Sequence, residues 1–245
     1  RLTMTFPLRY EDCSTHDNFP YDYHGPKAIG NYPKIPRTPA IKNVHYVDYV
    51  EGMYVGYRYF DTFNRPVAYP FGFGLSYTTF AYSDAVCRAQ ADGNFALSVK
   101  VTNTGDMAGK KTVQVYVQSP YTDYDKQNNV EKSSIQLLGY DKIDVAAGAS
   151  ETVTVDVLGY FLASYDANGA KGYILDAGDY YFAVGNGAHE ALNNVLAAKC
   201  GDAVAGKLID QDGNVVTGNT AAVATWTAPN TEVDTQKYRN SRYNS

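Results

Sequence analysis

The sequence is poor in the residues that build disulfide frameworks, metal centres and nucleic-acid surfaces. Its 245 residues include three cysteines and four histidines, and its 21 basic residues are fewer than its 26 acidic ones. Cys13, Cys87 and Cys200 lie far apart, which fits neither a disulfide framework nor a zinc site, since zinc needs close pairs. The net charge of −5 and the lack of a basic run argue against nucleic acid as a partner.

Long apolar runs and glycosylation signals are also missing. No apolar stretch reaches the roughly 18 residues that cross a bilayer, so no membrane partner is expected. No Asn-x-Ser/Thr triplet occurs, and the cysteines are unpaired; both are more typical of a bacterial cytoplasmic protein, although the location stays open. The chain starts at Arg1 without a leader segment, so we expect it to be a piece of a longer protein.

Tyrosine is abundant, with 23 residues, and aromatic residues reach 14% of the chain. Twelve of the tyrosines precede residue 83, and the densest cluster runs from Tyr46 to Tyr82. Exposed rings can stack on sugars, whereas buried rings can pack at a domain junction while their hydroxyl groups form hydrogen bonds. We favour the junction.

The first third of the chain is rich in proline. Five prolines fall between residues 20 and 39, which excludes a long helix or a central strand there and predicts an extended segment lying over another surface. Residues 44–63 are mostly β-branched or aromatic and fit either short strands or a short helix.

Period-two alternation begins near residue 86. Apolar residues alternate with polar ones in three runs, 95–101, 113–117 and 153–157, and a further strand is predicted at 179–184. Turn residues separate the runs at Asn103-Thr-Gly105, Ala147-Gly148 and Asn168-Gly169. Short strands at this spacing predict an antiparallel β-sandwich of immunoglobulin-like size.

The tail, residues 188–245, carries different signals. His189–Lys199 predicts a short helix, and Lys207–Val216 predicts a hairpin around Asp212-Gly213. The last 18 residues are polar and are predicted to be extended.

An ordered set of motifs runs through roughly the first three quarters of the chain. The first part of the set is Leu2-Thr-Met-Thr-Phe-Pro7, Tyr49-Val-Glu-Gly-Met-Tyr-Val-Gly-Tyr-Arg-Tyr-Phe-Asp61 and Pro70-Phe-Gly-Phe-Gly-Leu-Ser-Tyr-Thr-Thr-Phe80. The second part is Val99-Lys-Val-Thr-Asn-Thr-Gly-Asp-Met-Ala-Gly109, Leu138-Gly-Tyr-Asp-Lys142 and Ala177-Gly-Asp-Tyr-Tyr181. In this order the motifs resemble the downstream half of β-glucosidases of glycoside hydrolase family 3, and the resemblance covers roughly residues 1–187.

This resemblance implies a mainly β chain of three parts. Residues 1–85 would be the closing segment of an α/β sandwich domain with its linker, and residues 86–187 would form a fibronectin type III-like antiparallel β-sandwich. Residues 188–245 would be an extension toward a (β/α)8 barrel, as in permuted members of the family.

The resemblance also implies that the catalytic residues lie elsewhere. Family members use two carboxylates in a retaining mechanism. The nucleophile is an aspartate in a Ser-Asp-Trp-type motif, but the one tryptophan here, Trp226, lies between Thr225 and Thr227. The acid/base glutamate lies on a loop upstream of the segment that begins at Arg1. We therefore assign no catalytic residue, no metal ligand and no cofactor, leave the substrate-binding residues unknown, and expect this chain alone to be inactive.

Local candidates for chemistry have simpler explanations. The Glu11-Asp12 pair is predicted to be solvated or bonded within a turn, and Glu51 and Asp61 to pair with Arg58 or cap a backbone rather than reach a sugar cleft. No ligand spacing relates the histidines, so surface or packing roles are predicted for His16, His24, His45 and His189. Asp210, Asp212 and Asn214 resemble a calcium loop but lack its distal glutamate.

Two glycine motifs and the three cysteines also have structural rather than chemical explanations. Gly72-Phe-Gly74 is too short for a phosphate fingerprint, and Gly74-Leu-Ser76 lacks the second glycine of a nucleophile elbow. The three cysteines are predicted to be small buried residues.

Two classes of function follow. The chain would be a non-catalytic segment that supports the catalytic domains of a β-glucosidase-like hydrolase, its partners being the remaining domains and, only through them, a β-glucoside. Alternatively, it would be an independent carbohydrate-binding or protein-interaction module.

Overall fold

The computed structural model describes residues 1–16, 51–201 and 217–234. Two β-sheets packed face to face dominate this part of the chain. One sheet contains β3 (Phe80–Ala89), β4 (Phe95–Asn103) and β7 (Ser150–Val157), in that order. The other has the order β11-β10-β5-β6, formed by Val223–Ala228, Gly178–Gly185, Gly109–Gln118 and Gln136–Val145. All of these pairings are antiparallel.

The predicted alternation places the core between the sheets. In the first sheet, Leu97 pairs with Val155 and Val99 pairs with Val153. In the second sheet, Val117 pairs with Phe182. The side chains of these residues belong to one buried cluster, which also includes Leu162 and Tyr180. The mainly β class and the antiparallel sandwich are confirmed.

The central strands β5 and β10 are buried on both faces, whereas alternation predicted one buried face. The reason is α3 (Ala188–Cys200), the helix expected at 189–199, which packs on the outer face of the second sheet. A second buried cluster joins Tyr116 of β5 and Ala183 of β10 to Ala191 and Val195 of the helix.

The tail contributes to the sandwich. β11 pairs with β10 from Ala183↔Val223 to Gly178↔Ala228. Its Trp226 ring lies 4.8 Å from that of Phe95, measured between centroids. β12 (Glu232–Asp234) joins β9 (Gly172–Leu175) and β8 (Ser164–Asp166) in a small third sheet.

The residues ahead of β3, described over 1–16 and 51–79, form the leading segment. It contains β1 (Phe6–Pro7), β2 (Val67–Tyr69) and α1 (Tyr57–Thr62), and β1 pairs with β2. Residues 44–63 were predicted as strands or a helix, and the described part contains the helix α1. α2 (Asp123–Asn128) lies between β5 and β6. The predicted proline-rich extended segment and the 207–216 hairpin fall outside the described residues.

Candidate functional site

The Phe-Gly motif, residues 70–80, packs backbone against backbone on the turn between β10 and α3. The Ala188 N–H donates to the Phe71 carbonyl oxygen at 3.2 Å. A Cβ atom at Gly187 would lie 2.2 Å from that same oxygen. Gly72 has φ +90°, and a Cβ there would lie 2.7 Å from the Gly187 Cα. Only glycine permits this approach, so the motif is a packing device rather than a phosphate loop.

The start of the chain also joins this junction. The Leu2 N–H donates to the Phe73 carbonyl oxygen at 2.7 Å, and the Gly72 N–H donates to the Leu2 carbonyl oxygen at 2.9 Å. The Arg1 guanidinium donates to the carbonyl oxygens of Gly72 and Gly74 at 3.3 and 3.4 Å.

Tyrosines connect the leading segment to the sandwich. The Tyr57 ring centroid lies 4.9 Å from that of Phe71 and 6.4 Å from that of Tyr116. The Tyr57 hydroxyl oxygen accepts a hydrogen bond from the Leu137 N–H at 3.0 Å. The Tyr54 hydroxyl donates to the Lys132 carbonyl oxygen at 3.4 Å. Both tyrosines of the leading segment therefore contact residues of the sandwich region.

A cavity of about 680 Å³ opens at the junction. Its wall is formed by Arg1, the Phe-Gly motif, Lys111 of β5, the first turns of α3, and Thr217 and Asn219 ahead of β11. Polar groups from five separated parts of the chain therefore meet at one place.

Lys111 is the unusual group of this wall, because its residue is only 3% exposed. Its Nζ donates to Asn186 Oδ1 and lies 5.2 and 5.4 Å from the ring centroids of Phe80 and Tyr82. Burial, followed by the positive charge of Arg1, lowers the pKa of Lys111 to about 8. Sequence reasoning missed this lysine, although it is in phase with the inward-facing Val113, Val115 and Val117.

Glu190 is the carboxylate of the cavity wall. Its Oε2 accepts from Asn186 Nδ2 at 2.7 Å, so Asn186 links the lysine to the glutamate. The neighbouring His189 pairs through Nδ1 with Asp61 Oδ1 at 2.9 Å, which ties α3 to α1. Asp61 was predicted to pair with Arg58 or cap a backbone; helix packing instead brings the His189 imidazole to this carboxylate.

A second ionic cluster lies away from the cavity, between α2 and the approach to β10. Lys132 Nζ contacts Asp125 Oδ2 at 2.8 Å and Asp176 Oδ2 at 2.5 Å, and the three side chains are 6%, 0% and 2% exposed. Asp125 also caps α2 by accepting from the Thr122 N–H at 2.7 Å. Because the lysine bridges the two carboxylates, the cluster is a buried structural tie.

Asp166, on β8, is held in a similar structural way. Burial would raise the pKa of Asp166, but hydrogen bonds from the backbone N–H groups of Ala170 and Gly169 outweigh burial and lower it to about 2. The carboxylate is thus an acceptor that fixes the β8–β9 turn rather than a proton donor.

The remaining sequence candidates are dispersed. Asp12 accepts from the Arg9 backbone N–H at 3.0 Å, which confirms its turn role, and Glu11 is exposed. Glu51 is half-buried, and the His16 ring packs against Tyr10 at 4.8 Å. The other candidates lie outside the described residues: His24, His45, Asp210, Asp212 and Asn214.

The cysteine prediction is partly wrong. Cys200 is exposed because it ends α3, and Cys13 and Cys87 are half-buried. Cys87 packs at the edge of the sandwich core, and burial raises the pKa of its thiol to about 11.

Residues 1–16, 51–201 and 217–234 contain no cluster of three or more histidine, cysteine or acidic side chains suited to a metal ion. No helix in them is long and apolar enough to cross a membrane.

Comparison with known proteins shows what this chain is similar to. Residues 111–188 match the model of the fibronectin type III-like domain. The chain is 41% identical over 162 residues to a β-glucosidase of Ruminococcus albus, covering 62% of this chain and 16% of that protein. It is 35% identical over 177 residues to an exo-α-(1→6)-L-arabinopyranosidase of Bifidobacterium longum, covering 72% and 22%.

Comparison with solved structures agrees with these sequence matches. The crystal structure of a family 3 β-glucosidase of Bifidobacterium adolescentis superposes with a TM-score of 0.59 at 30% identity, covering 75% of this chain and 23% of that one. The chain therefore spans about a fifth of the length of these relatives. The chain is therefore similar to a segment of family 3 β-glucosidases, and this segment includes a match to the fibronectin type III-like domain.

Proposed function

We propose that this chain is a non-catalytic segment of a retaining β-glucosidase-like hydrolase and that it supports domains that cleave terminal β-D-glucosides. The observation that supports this proposal is the partial match: most of this chain is similar to about one fifth of the length of each relative. The remainder of such an enzyme would supply the catalytic carboxylates.

The junction cavity supports a non-catalytic role. A retaining glycosidase places two carboxylates about 5–5.5 Å apart across the scissile bond. Among the described residues, the cavity wall contributes one carboxylate, Glu190, which is engaged by Asn186. The buried Asp125 and Asp176 are bridged by Lys132 and are closed to a substrate. These arrangements support holding domains together rather than cleaving glycosides.

The proposal includes the domain order of permuted members, with a (β/α)8 barrel after residue 245. The support for this order is the resemblance of the continuation past residue 187 to permuted members; within that continuation, α3 and β11 pack on the sandwich. Sequencing the gene tests it. The expected gene encodes a glutamate-bearing loop upstream and a Ser-Asp-Trp-type motif downstream, and a gene with neither contradicts the proposal.

The activity test compares two purified proteins with an aryl β-glucoside. Residues 1–245 are expected to give no turnover above buffer, while the full-length enzyme hydrolyses the substrate. An aryl α-L-arabinopyranoside, assayed in parallel, tests the other activity named among the relatives. Turnover by residues 1–245 that survives repurification would show that the chain is itself catalytic.

The alternative function, an independent carbohydrate-binding module, is tested by titration calorimetry. If the chain only supports other domains, cello-oligosaccharides release no binding heat. Saturable binding at millimolar concentration or tighter would favour the module instead.

A further inference from the structure

Lys111, Asn186 and Glu190 form a hydrogen-bonded series at the edge of the sandwich core. The Lys111 Nζ donates to Asn186 Oδ1, and Asn186 Nδ2 donates to Glu190 Oε2 at 2.7 Å. The amine and the carboxamide are 75 positions apart in the sequence, on β5 and directly after β10. Because Asn186 Cγ is bonded to Oδ1, the amine lies beside the carbon atom that a nucleophile would attack.

The surroundings of Lys111 favour a neutral, nucleophilic amine. The residue is 3% exposed, and the rings of Phe80 and Tyr82 lie 5.2 and 5.4 Å from Nζ. Burial is the main cause of the lowered pKa of about 8; Arg1 lowers this pKa further, whereas the Glu190 carboxylate acts in the opposite direction. At pH 7 roughly a tenth of such lysines carry no charge. A desolvated lysine amine can attack a carbonyl carbon.

Glu190, in the first turn of α3, is placed to move the protons of an acyl transfer. Its Oε2 holds the amide nitrogen of Asn186, which would be the leaving group, and its charge acts on the Lys111 amine. A carboxylate at hydrogen-bond distance can take a proton from an attacking amine and deliver it to a leaving group. The junction cavity, which these side chains border, gives ammonia a way out.

We propose that Lys111 and Asn186 condense to an intramolecular amide bond, with Glu190 as the catalytic base and acid. The lone pair of the neutral Nζ attacks Asn186 Cγ, and the carbonyl π electrons move to Oδ1. Glu190 takes one proton from Nζ and delivers it to Nδ2. The bond from Cγ to Nδ2 then breaks as the carbonyl re-forms, and ammonia leaves. An amine and an amide thus become a new amide and ammonia, so no further reactant is needed.

The proposal is independent of the proposed function, because all three groups lie in this chain. The structure describes them before the bond forms, and only this unbonded form has a titratable Lys111 amine. The bond ties β5 to the turn between β10 and α3, joining residues 75 positions apart. A cross-link over such a distance stabilises a fold mainly by restricting the unfolded chain.

Mass spectrometry of the denatured chain tests the proposal without a variant. The bonded chain is lighter than its sequence by about 17 Da, the mass of the ammonia released. Trypsin cleaves after lysine and arginine, so it leaves one branched peptide in which residues 111–126 and 172–199 are joined. A succinimide at Asn186-Gly187 loses the same mass but leaves the two peptides separate, and that result would contradict the proposal.

The pH dependence of bond formation tests the role of the neutral amine. Freshly synthesised chain is incubated at pH 7 and at pH 9, and the branched peptide is quantified over time. Its formation should be about tenfold faster at pH 9, where most Lys111 amines are neutral. Chain kept unfolded in urea should stay unbonded, because unfolding separates the amine from the carboxamide.

Glu190→Gln tests the proton transfer. The glutamine can still accept a hydrogen bond from Asn186 but cannot take up a proton, so bond formation should slow by about 100-fold or more. Lys111→Arg and Asn186→Ala should abolish the branched peptide. The matched control is Lys110→Arg, because Lys110 is exposed and pairs with Asp144 at the surface; it should form the bond at the wild-type rate.

The full-length enzyme yields the same two peptides, so the result does not require residues 1–245 to fold alone. Two outcomes overturn the proposal: the full mass of the sequence persists at pH 9 in both proteins, or Glu190→Gln forms the branched peptide as fast as the wild type. A β-glucosidase assay of the same samples is read separately, since absence of hydrolysis bears on the proposed function and not on the bond.

Discussion

The sandwich and the leading segment bury their apolar side chains to different extents. The sandwich encloses a valine-rich core in which Val101, Val113, Val115 and Phe182 are completely buried. In the described part of the leading segment, Phe60 is the one large apolar residue that is buried, with 5% of its surface exposed. The sandwich is therefore stabilised by contacts among its own strands. The described leading segment is rich in aromatic and aliphatic residues, as a core is, but it leaves many of these side chains exposed. Buried and exposed apolar side chains are therefore concentrated in different parts of one chain.

The largest expected effect tests the polar tie inside the sandwich region. Lys132→Met leaves Asp125 and Asp176 buried without their cation, and the chain should lose about 3–5 kcal/mol of unfolding free energy. Urea unfolding followed by tryptophan fluorescence measures the loss. Lys126→Met is the control: Lys126 pairs with Asp123 at the surface, and a change of at most about 1 kcal/mol is expected. Equal losses of unfolding free energy in Lys132→Met and Lys126→Met would show that burial does not determine how much these ion pairs contribute to stability.

The second prediction tests the comparison directly with two leucines. Leu97 is 1% exposed on β4, and Leu97→Ala should cost about 2–5 kcal/mol because a cavity remains. Leu75 is 93% exposed, and Leu75→Ala should change the unfolding free energy of residues 1–245 by less than about 0.5 kcal/mol. Urea midpoints with unchanged m-values check both. A large cost at Leu75 would mean that the leading segment already has a core of its own.

The smallest effect is a pH dependence of stability from Lys111. Its pKa is about 8 in the folded chain, below its value of 10.5 as a free side chain, so the unfolded chain binds more protons between these values. Stability should therefore rise by about 1–3 kcal/mol as the pH increases from 8 toward 10. Burial raises the pKa values of Tyr82, Tyr116 and Tyr180, so stability falls again above pH 10, where unfolded tyrosines ionise.

This pH dependence is measured by urea unfolding across the range, with Lys111→Met as the comparison. The variant should lose the rise between pH 8 and 10 and keep the fall above it. An equal rise in unfolding free energy in the Lys111→Met variant would show that another titrating group causes it.

Regular patterns predicted most of the fold. Alternation at 95–101, 113–117 and 153–157 found strands because each run has one face toward the core. Apolar spacing similarly found α3. The strand β11 was missed because Val223–Ala228 is short and gains its stability from pairing with β10, which the local sequence does not encode. Burial of both faces of β5 was also missed, since it depends on where α3 packs.

The site was less predictable than the fold. The Phe-Gly motif was recognised, but its role needs Gly187, more than a hundred residues later, whose backbone meets Phe71. The pairing of Asp61 with His189 likewise joins residues 128 positions apart. Lys111 looked like an ordinary charged residue at a strand start, and only the opposing Phe80 and Tyr82 show that it is enclosed.

The pairing of β11 with β10 has a consequence for biosynthesis. β10 ends at Gly185 and β11 ends at Ala228, so one edge of β10 has no partner until that later strand emerges from the ribosome. At about 5–20 residues per second, this interval lasts roughly 2–9 s. During it the nascent sheet presents the unpaired backbone N–H and C=O groups of the β10 edge to other chains, while α3, translated first, can already shield its outer face. A chaperone that binds unpaired strand edges would bind the nascent chain during this interval. It would be released once β11, which contains Trp226, has paired with β10.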